Sequence, residues 1–245
     1  MPRVAGAVSS CAVRPGRLCH APHPTRLRAA TRGLSIGKVF GRNGFSVALV
    51  SRTQDRLDRL ATELNEAGID AAGFAADVMD RQSLAAAFTR INDRFGSVDV
   101  LEYSPAPHDP VPGITMAGPL EATVDNLQPQ LDYYLYGGIT AAQQVLPDML
   151  KRDSGTLLYT TGGSSMDPLA APPEFATVAV ATAALRAWVL KLHQATAGTG
   201  VYAAHVPLFV WIGTGGPETQ ADTIAQRYWD IYTKRDGAEH SYAAP

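Results

Sequence analysis

The sequence predicts an α/β fold built on a doubly wound parallel sheet, and three observations carry that prediction. Helical and strand patterns alternate without a break over residues 33–103. The helical stretches there end on Gly44, Gly68 and Gly96, residues suited to a left-handed stop. The strand stretches include uninterrupted apolar runs such as Val47, Ala48, Leu49 and Val50, the pattern of parallel strands covered on both faces. Strict alternation implies right-handed crossovers and a three-layer, Rossmann-like architecture.

Each element has its own signal. Residues 35–43 form a short helix with Ile36, Val39 and Phe40 on one face, and residues 47–50 a strand. From Asp55 a second helix sets Leu57, Leu60, Ala61 and Leu64 at i, i+3, i+4 and i+7, followed by a strand at 72–76. Leu84, Phe88, Ile91 and Phe95 line the next helix, and 98–103 is the next strand. After a proline-rich loop, a long helix runs to Leu150 on Leu127, Leu131, Leu135, Ile139 and Val145. A strand at 156–160, a largely apolar helix at 175–195, a strand at 201–206 and an amphipathic helix at 223–234 complete the series.

The first strand is the anomaly: it reads as degenerate or missing. The segment before Gly33 holds Pro22 and Pro24, and proline removes a ladder hydrogen bond from a central strand. Unpaired backbone groups on its neighbours would cost roughly 1 to 3 kcal/mol each. Val4 to Val8 is the nearby stretch with strand character, so either it substitutes or the native start differs. Residues 1–32 otherwise read as an irregular basic leader, and residues 33–245 as a single domain. The first acidic residue is Asp55, preceded by Arg3, Arg14, Arg17, Arg26, Arg28, Arg32, Lys38, Arg42 and Arg52. Such a leader is compatible with a transit-like segment, a disordered arm or residues outside the native frame.

Composition is that of an ordinary globular protein: 245 residues, 46% apolar, net charge −2. Dense Lys/Arg clusters with interleaved aromatics are absent, which argues against nucleic acid. No apolar run approaches the roughly 20 residues that span a bilayer, so no membrane is expected. Two cysteines, Cys11 and Cys19, give no disulfide framework, and a reducing, cytoplasmic compartment fits. Their seven-residue gap is too wide for the usual structural zinc spacing, despite His20 and His23 nearby, so no metal is expected.

Ligands of such sheets bind outside the carboxyl ends of the strands, with a pyrophosphate at the start of the first helix. Gly33, Leu34 and Ser35 are read as that helix start. Ser51 and Arg52 end the next strand, where a guanidinium pairs a ribose 2′-phosphate and an acid would accept the bare hydroxyl, so NADP is expected over NAD. Asp77 and Val78 follow the third strand; Asp77 either accepts from an adenine amino group or caps the next helix.

Together these residues resemble the short-chain dehydrogenase/reductase family, whose pattern runs glycine loop, basic residue after the second strand and D-V after the third. The resemblance extends from about Gly33 to the end, through Val145-Leu146-Pro147, Gly155-Thr156-Leu157-Leu158 and Ala183-Ala184-Leu185-Arg186. It implies an oxidoreductase acting on a small carbonyl or alcohol substrate, a dinucleotide partner, a cofactor contact near Ser104, and a homodimer or homotetramer.

The departures are as informative. The family's T-G-x-x-x-G-x-G places Arg26, Leu27 and Thr31 where other signature residues belong, with Gly33 last. Its Tyr-x-x-x-Lys pair falls on Val178 and Thr182, which carry neither an exchangeable phenol proton nor a charge. Its serine aligns with Gly162, leaving Ser164 or Ser165 nearby; its helix asparagine corresponds to Tyr134, and its N-A-G to Ser104-Pro105-Ala106. Ser164, Ser165 and Tyr134 are the candidate catalytic residues. Tyr103, Tyr159 and His108 lie near the expected cleft and read as boundary packing, and His205 as a satisfied core residue. The alternative to an enzyme is a non-catalytic nucleotide-binding protein on the same fold.

Overall fold

A computed structural model of the chain describes residues 3–8, 28–105, 111 and 113–243. Six parallel strands form one sheet in the order β3-β2-β1-β4-β5-β6. They are β1 (Arg3–Val8), β2 (Phe45–Ser51), β3 (Ala71–Ala75), β4 (Val100–Tyr103), β5 (Gly155–Gly162) and β6 (Val201–Leu208). The order reverses between β1 and β4, the switch point at which open α/β sheets bind ligands.

β1 corrects the expectation of a degenerate or missing first strand. The substitute foreseen at Val4 to Val8 takes the central place, pairing Arg3 to Val8 with Phe45 to Val50 and Ala5 to Val8 with Val100 to Tyr103. It therefore supplies the backbone partners that both neighbours need. Asp99 fixes its start: the Val4 amide donates to Asp99 Oδ2 at 2.8 Å, and the Asp99 amide donates to the Val4 carbonyl at 2.9 Å. The strand lies within the stretch read as irregular leader. The cysteines and the His20–His23 pair fall outside the described residues, as does His108.

Helix α1 (Arg28–Arg42), α2 (Gln54–Glu66) and α7 (Ala221–Lys234) cover one face of the sheet; α3 (Arg81–Phe95), α4 (Val124–Leu131), α5 (Gly137–Lys151) and α6 (Ala176–Ala195) cover the other. Gly44, Gly68 and Gly96 all take positive φ, as their stop role requires. On the first face Phe40 and Phe45 pack edge-on against Trp229 and Tyr232, with ring centroids 5.3 to 6.2 Å apart.

The long helix foreseen to Leu150 is broken by a π-helical segment, Asp132–Tyr136, between α4 and α5. Buried Tyr133 and Tyr134 sit in that segment, and Gly137 follows it. A Cβ on Gly137 would stand 2.3 Å from the Tyr103 hydroxyl and 2.9 Å from the Val78 carbonyl, so the helix reaches the end of β4 this closely only as glycine.

A second correction concerns apolar length. Pro173–Ala195 is long and apolar enough to cross a bilayer by length and composition, because the few charged residues that interrupt the run, Glu174, Arg186 and Lys191, are spread thinly. Its buried side carries Thr177, Val178, Ala181, Thr182, Leu185 and Val189 against the sheet, as a core helix does.

Beyond α7 the tail returns to the edge of β6. The Tyr242 amide donates to the Pro207 carbonyl and the His240 amide to the His205 carbonyl, each at 2.9 Å. Residues 239 and 242 thereby bridge to β6 and cover the sheet edge.

Candidate functional site

The strands end together at Val8, Ser51, Ala75, Tyr103, Gly162 and Leu208, and the candidate residues divide among these ends.

At the β2 end, Ser51 is buried and Arg52 half-buried, with Arg56 in the first turn of α2. Ser51 Oγ and both Nη atoms of Arg56 are buried without a hydrogen-bond partner among the described residues. Arg56 itself is only 4% exposed. A buried guanidinium so placed is costly unless an acceptor reaches it.

The helix-start reading needs correction. α1 begins at Arg28, so Gly33, Leu34 and Ser35 lie beyond its first turn, where backbone amides are already spent inside the helix. Ser35 is also engaged elsewhere: its hydroxyl donates to Asp222 Oδ1 of α7 at 2.5 Å.

Asp77 is not the helix cap. Asp80 caps α3, accepting from the amides of Gln82 and Ser83 at 2.9 and 3.0 Å, while Asp77 Oδ1 accepts from the Met79 amide at 3.0 Å. Val78 is buried against the core.

At the β4 end, a residue not singled out in the sequence proves central. Glu102 is 2% exposed. It accepts from Ser104 Oγ at 2.9 Å and from Thr160 Oγ1 at 2.9 Å, and Thr160 shares a 2.6 Å hydrogen bond with Tyr228 of α7. Its signal was a lone acid inside the apolar strand V-L-E-Y. The Ser104 hydroxyl, foreseen as a cofactor contact, is engaged here.

Thr160 and Thr161 are consecutive on β5 and so project to opposite faces. Thr160 joins the Glu102 group beside α7; Thr161 joins a second group beside α6. Thr161 Oγ1 lies 2.8 Å from Ser165 Oγ and 2.8 Å from His205 Nε2. His205 Nδ1 lies 3.0 Å from Glu239 Oε2, and Arg186 donates to both oxygens of that carboxylate, Nε to Oε2 at 2.5 Å and Nη2 to Oε1 at 3.0 Å. Thr161, Ser165 and His205 are all buried. The hydrogen bonds from Arg186 hold the Glu239 carboxyl below its usual range, and burial lowers the imidazole of His205, so the two face each other as carboxylate and neutral ring.

Ser164 and Ser165 lie on a single 3-10 turn, Gly163–Ser165, packed against α6. A Cβ at Gly163 would stand 2.4 Å from a Phe209 ring atom, so glycine lets the turn approach the exit of β6. Ser164 is half-exposed there; Ser165 points inward. Tyr134 is buried, its ring edge-on to Tyr133 at 5.0 Å. Val178 and Thr182 are buried on the same side, with the Thr182 hydroxyl donating to the Val178 carbonyl at 2.8 Å.

The other aromatics serve packing. The Tyr103 hydroxyl donates to the Tyr133 carbonyl at 2.6 Å and that of Tyr159 to the Gly138 carbonyl at 3.3 Å. Burial pushes both phenols above their usual range, the wrong direction for a proton donor at neutral pH. His205 is a core residue with both ring nitrogens engaged. A cavity of about 270 Å³ between α3 and α5, lined by Asn92, Gly96, Val98, Gln144 and Asp148, opens near the amino end of β4, away from all of these groups. Among the described residues no cluster of three metal-ligating side chains occurs.

Comparison with known proteins agrees with this geometry. A family model described as short chain dehydrogenase matches residues 29–209. A short chain dehydrogenase of Pseudocercospora fijiensis is 26% identical over 202 residues, 79% of this chain and 61% of that protein's length. Among solved structures, a short-chain dehydrogenase from Rhodopseudomonas palustris superposes with a TM-score of 0.75 at 19% identity, covering 100% of both chains. A metagenomic short-chain oxidoreductase in complex with NADP gives 0.75 at 17% identity, covering 99% of this chain and 98% of that one.

Proposed function

This chain belongs to the short chain dehydrogenase family, and from that membership we propose that it is an NADP(H)-dependent oxidoreductase acting on a small carbonyl or alcohol substrate. The observation that carries the cofactor half is the buried set of Ser51 Oγ and Arg56 Nη1 and Nη2, unpartnered among the described residues, beside Arg52. A phosphorylated ribose offers the acceptors these groups lack, and a guanidinium matches a phosphate in geometry and charge. The NADP-bound relative supports the same choice. Ser51, Arg52 and Arg56 would hold the adenosine end, with Asp77 at its base; the dinucleotide would supply the hydride donor or acceptor.

The proton half rests on Ser164, Ser165 and Tyr134. Of the two serines on the turn after β5, Ser164 is the half-exposed one and would meet a reacting oxygen first, with Ser165 buried behind it and Tyr134 on the π segment as the candidate acid. α6, with Val180 51% exposed, and the long helix beside it would form the surface for a homodimer or homotetramer.

A second reading, a nucleotide-binding protein without hydride transfer, is favoured by one observation. The lysines of the chain are Lys38, Lys151, Lys191 and Lys234, none on the first half of α6, so no ammonium replaces the one missing at Thr182. Titration with NADPH and NADH, followed by NADPH oxidation over a panel of aldehydes, ketones and quinones, separates the readings. Binding with turnover supports the enzyme, binding without turnover supports the second reading, and absence of binding excludes both. Tyr134→Phe is expected to lower turnover by about 10²-fold, the usual worth of a general acid; unchanged turnover would remove Tyr134 from the mechanism.

A further inference from the structure

We propose that Thr161 and His205 form a proton relay serving Ser165, in place of the tyrosine and lysine that Val178 and Thr182 have replaced. This inference rests on the oxidoreductase reading above. Its basis is a continuous line of short hydrogen bonds from the turn after β5 to the protein edge: Ser165 to Thr161 at 2.8 Å, Thr161 to His205 at 2.8 Å and His205 to Glu239 at 3.0 Å.

The line has a direction. Glu239 is held twice by Arg186 and so accepts from Nδ1–H, which leaves the neutral ring with a bare Nε2. That nitrogen can accept from the Thr161 hydroxyl, which has the Gly162 carbonyl at 3.2 Å as its other acceptor and whose oxygen in turn can accept from Ser165. Ser165 has a second acceptor, the Gly162 carbonyl at 2.9 Å, so its hydroxyl can rest there and swing to Thr161 when a proton moves. Both ring nitrogens of His205 are thus engaged, and the line continues past it to a second hydroxyl on one side and an Arg-clamped carboxylate on the other. Glu239 and Arg186, with side chains 20% and 33% exposed, form the outer end, where protons exchange with solvent.

Alcohol oxidation balances as follows. The substrate O–H bond breaks as its proton passes to Ser165 Oγ; the Ser165 proton passes to Thr161 Oγ1, and that of Thr161 to His205 Nε2. The carbon gives up a hydride with its electron pair to the oxidised dinucleotide, and imidazolium is left against the Glu239 carboxylate. Reduction runs the same transfers in reverse. Thr161 and His205 act through Ser165; Glu239 and Arg186 are positioning residues.

The groups facing His205 are Thr161 and Tyr159 from β5, Arg186 from α6 and Glu239 from the tail; Tyr159 pairs with it in register but sends its hydroxyl to Gly138. Burial places the ring's ionisation below 6.5, so kcat for alcohol oxidation is expected to rise with pH through a limb below that value. Thr161→Val, nearly isosteric, should lower kcat about 10²-fold, abolish the limb and leave the dissociation constant for NADPH unchanged. Thr161→Ser should restore most of the rate. Unchanged kcat in Thr161→Val overturns the relay and leaves the oxidoreductase reading standing. If the wild type turns over no substrate, that reading fails instead, and long-range ¹H–¹⁵N NMR of the imidazole decides the relay alone. A proton on Nδ1, with an Nε2 resonance that moves in Thr161→Val, supports it; a proton on Nε2 overturns it.

Discussion

The ends of β2 and β3 and the ends of β5 and β6 lie on the same rim of one sheet, yet they stand differently against the family pattern. At β2 and β3 the family's residue types stand in place: a basic residue after the strand, and Asp77-Val78 next door. At the β2 end Ser51 Oγ and the Arg56 guanidinium are buried without partners among the described residues. Around β5 and β6 the sequence offers Gly162, Val178 and Thr182 where the resemblance expects serine, tyrosine and lysine, and the polar groups Thr161, Ser165 and His205 hydrogen-bond one another. An unsatisfied set is built to receive something; a saturated set is already complete and can only pass a proton or hold a shape. On the proposed reading recognition and chemistry separate along the rim, and each can be perturbed without the other.

The largest effect on binding is expected at the receiving end. If Arg52 holds a 2′-phosphate as proposed, Arg52→Ala removes a charge-assisted contact worth about 2 kcal/mol, so NADPH should bind roughly 30-fold more weakly while NADH binding stays within a factor of two. Fluorescence titration of both cofactors measures this. Equal weakening of the two would mean that Arg52 senses no 2′-phosphate and that the adenosine end is not selective.

The saturated end predicts a stability effect with a definite sign. His205 ionises lower in the folded chain than its usual 6.5, so as pH falls below that value the unfolded chain takes up a proton first and stability declines. Glu239, lowered chiefly by its hydrogen bonds from Arg186, adds to the decline once pH falls below the ordinary carboxylate range through its own folded ionisation. One proton limits the slope to about 1.4 kcal/mol per pH unit. Glu239→Gln should cost about 1 to 2 kcal/mol at pH 7 and, by removing the carboxylate that raises His205, carry the His205 decline to lower pH, as read from urea midpoints between pH 7.5 and 4. A wild-type midpoint that rises on acidification would show that His205 is charged in the folded state.

How much of this was legible follows the same division. The parallel sheet, its helices and the three glycine stops were readable because periodicity and positive-φ positions are local properties. That Arg52 and Asp77 would stand just past strand ends was readable because they follow apolar runs at fixed offsets. β1 was legible as a short apolar run, Val4 to Val8, though nothing local says that it crosses to the centre of the sheet. The start of α1 was missed because the glycines around Gly33 mimic a loop-to-helix entry, whereas the helix begins at Arg28. The His205 group was invisible for a different reason: Glu239 reaches it from the far end of the chain, through a tail that pairs with the edge of β6, and Arg186 reaches it from α6. Contacts of that separation leave no spacing to read.

The smallest predicted effect sharpens the comparison within the receiving end itself. Asp77 and Asp80 are three residues apart, and either could have been the cap of α3. Asp80 accepts two amides of the first turn and is thus tied to the helix; Asp77 spends one oxygen on the Met79 amide. Asp80→Ala should cost about 1 kcal/mol of stability, the usual worth of such a cap, and leave dinucleotide affinity unchanged. Asp77→Ala should cost less stability and weaken both NADPH and NADH by a similar small factor, because an adenine contact does not distinguish the two. If the assignments were exchanged, with Asp80→Ala weakening binding and Asp77→Ala weakening the helix, the β3 end would carry no ligand contact at Asp77 and the receiving set would shrink to the residues around Arg52. Chemical denaturation and cofactor titration on the two variants tell these outcomes apart, since one reads only the helix and the other only the rim.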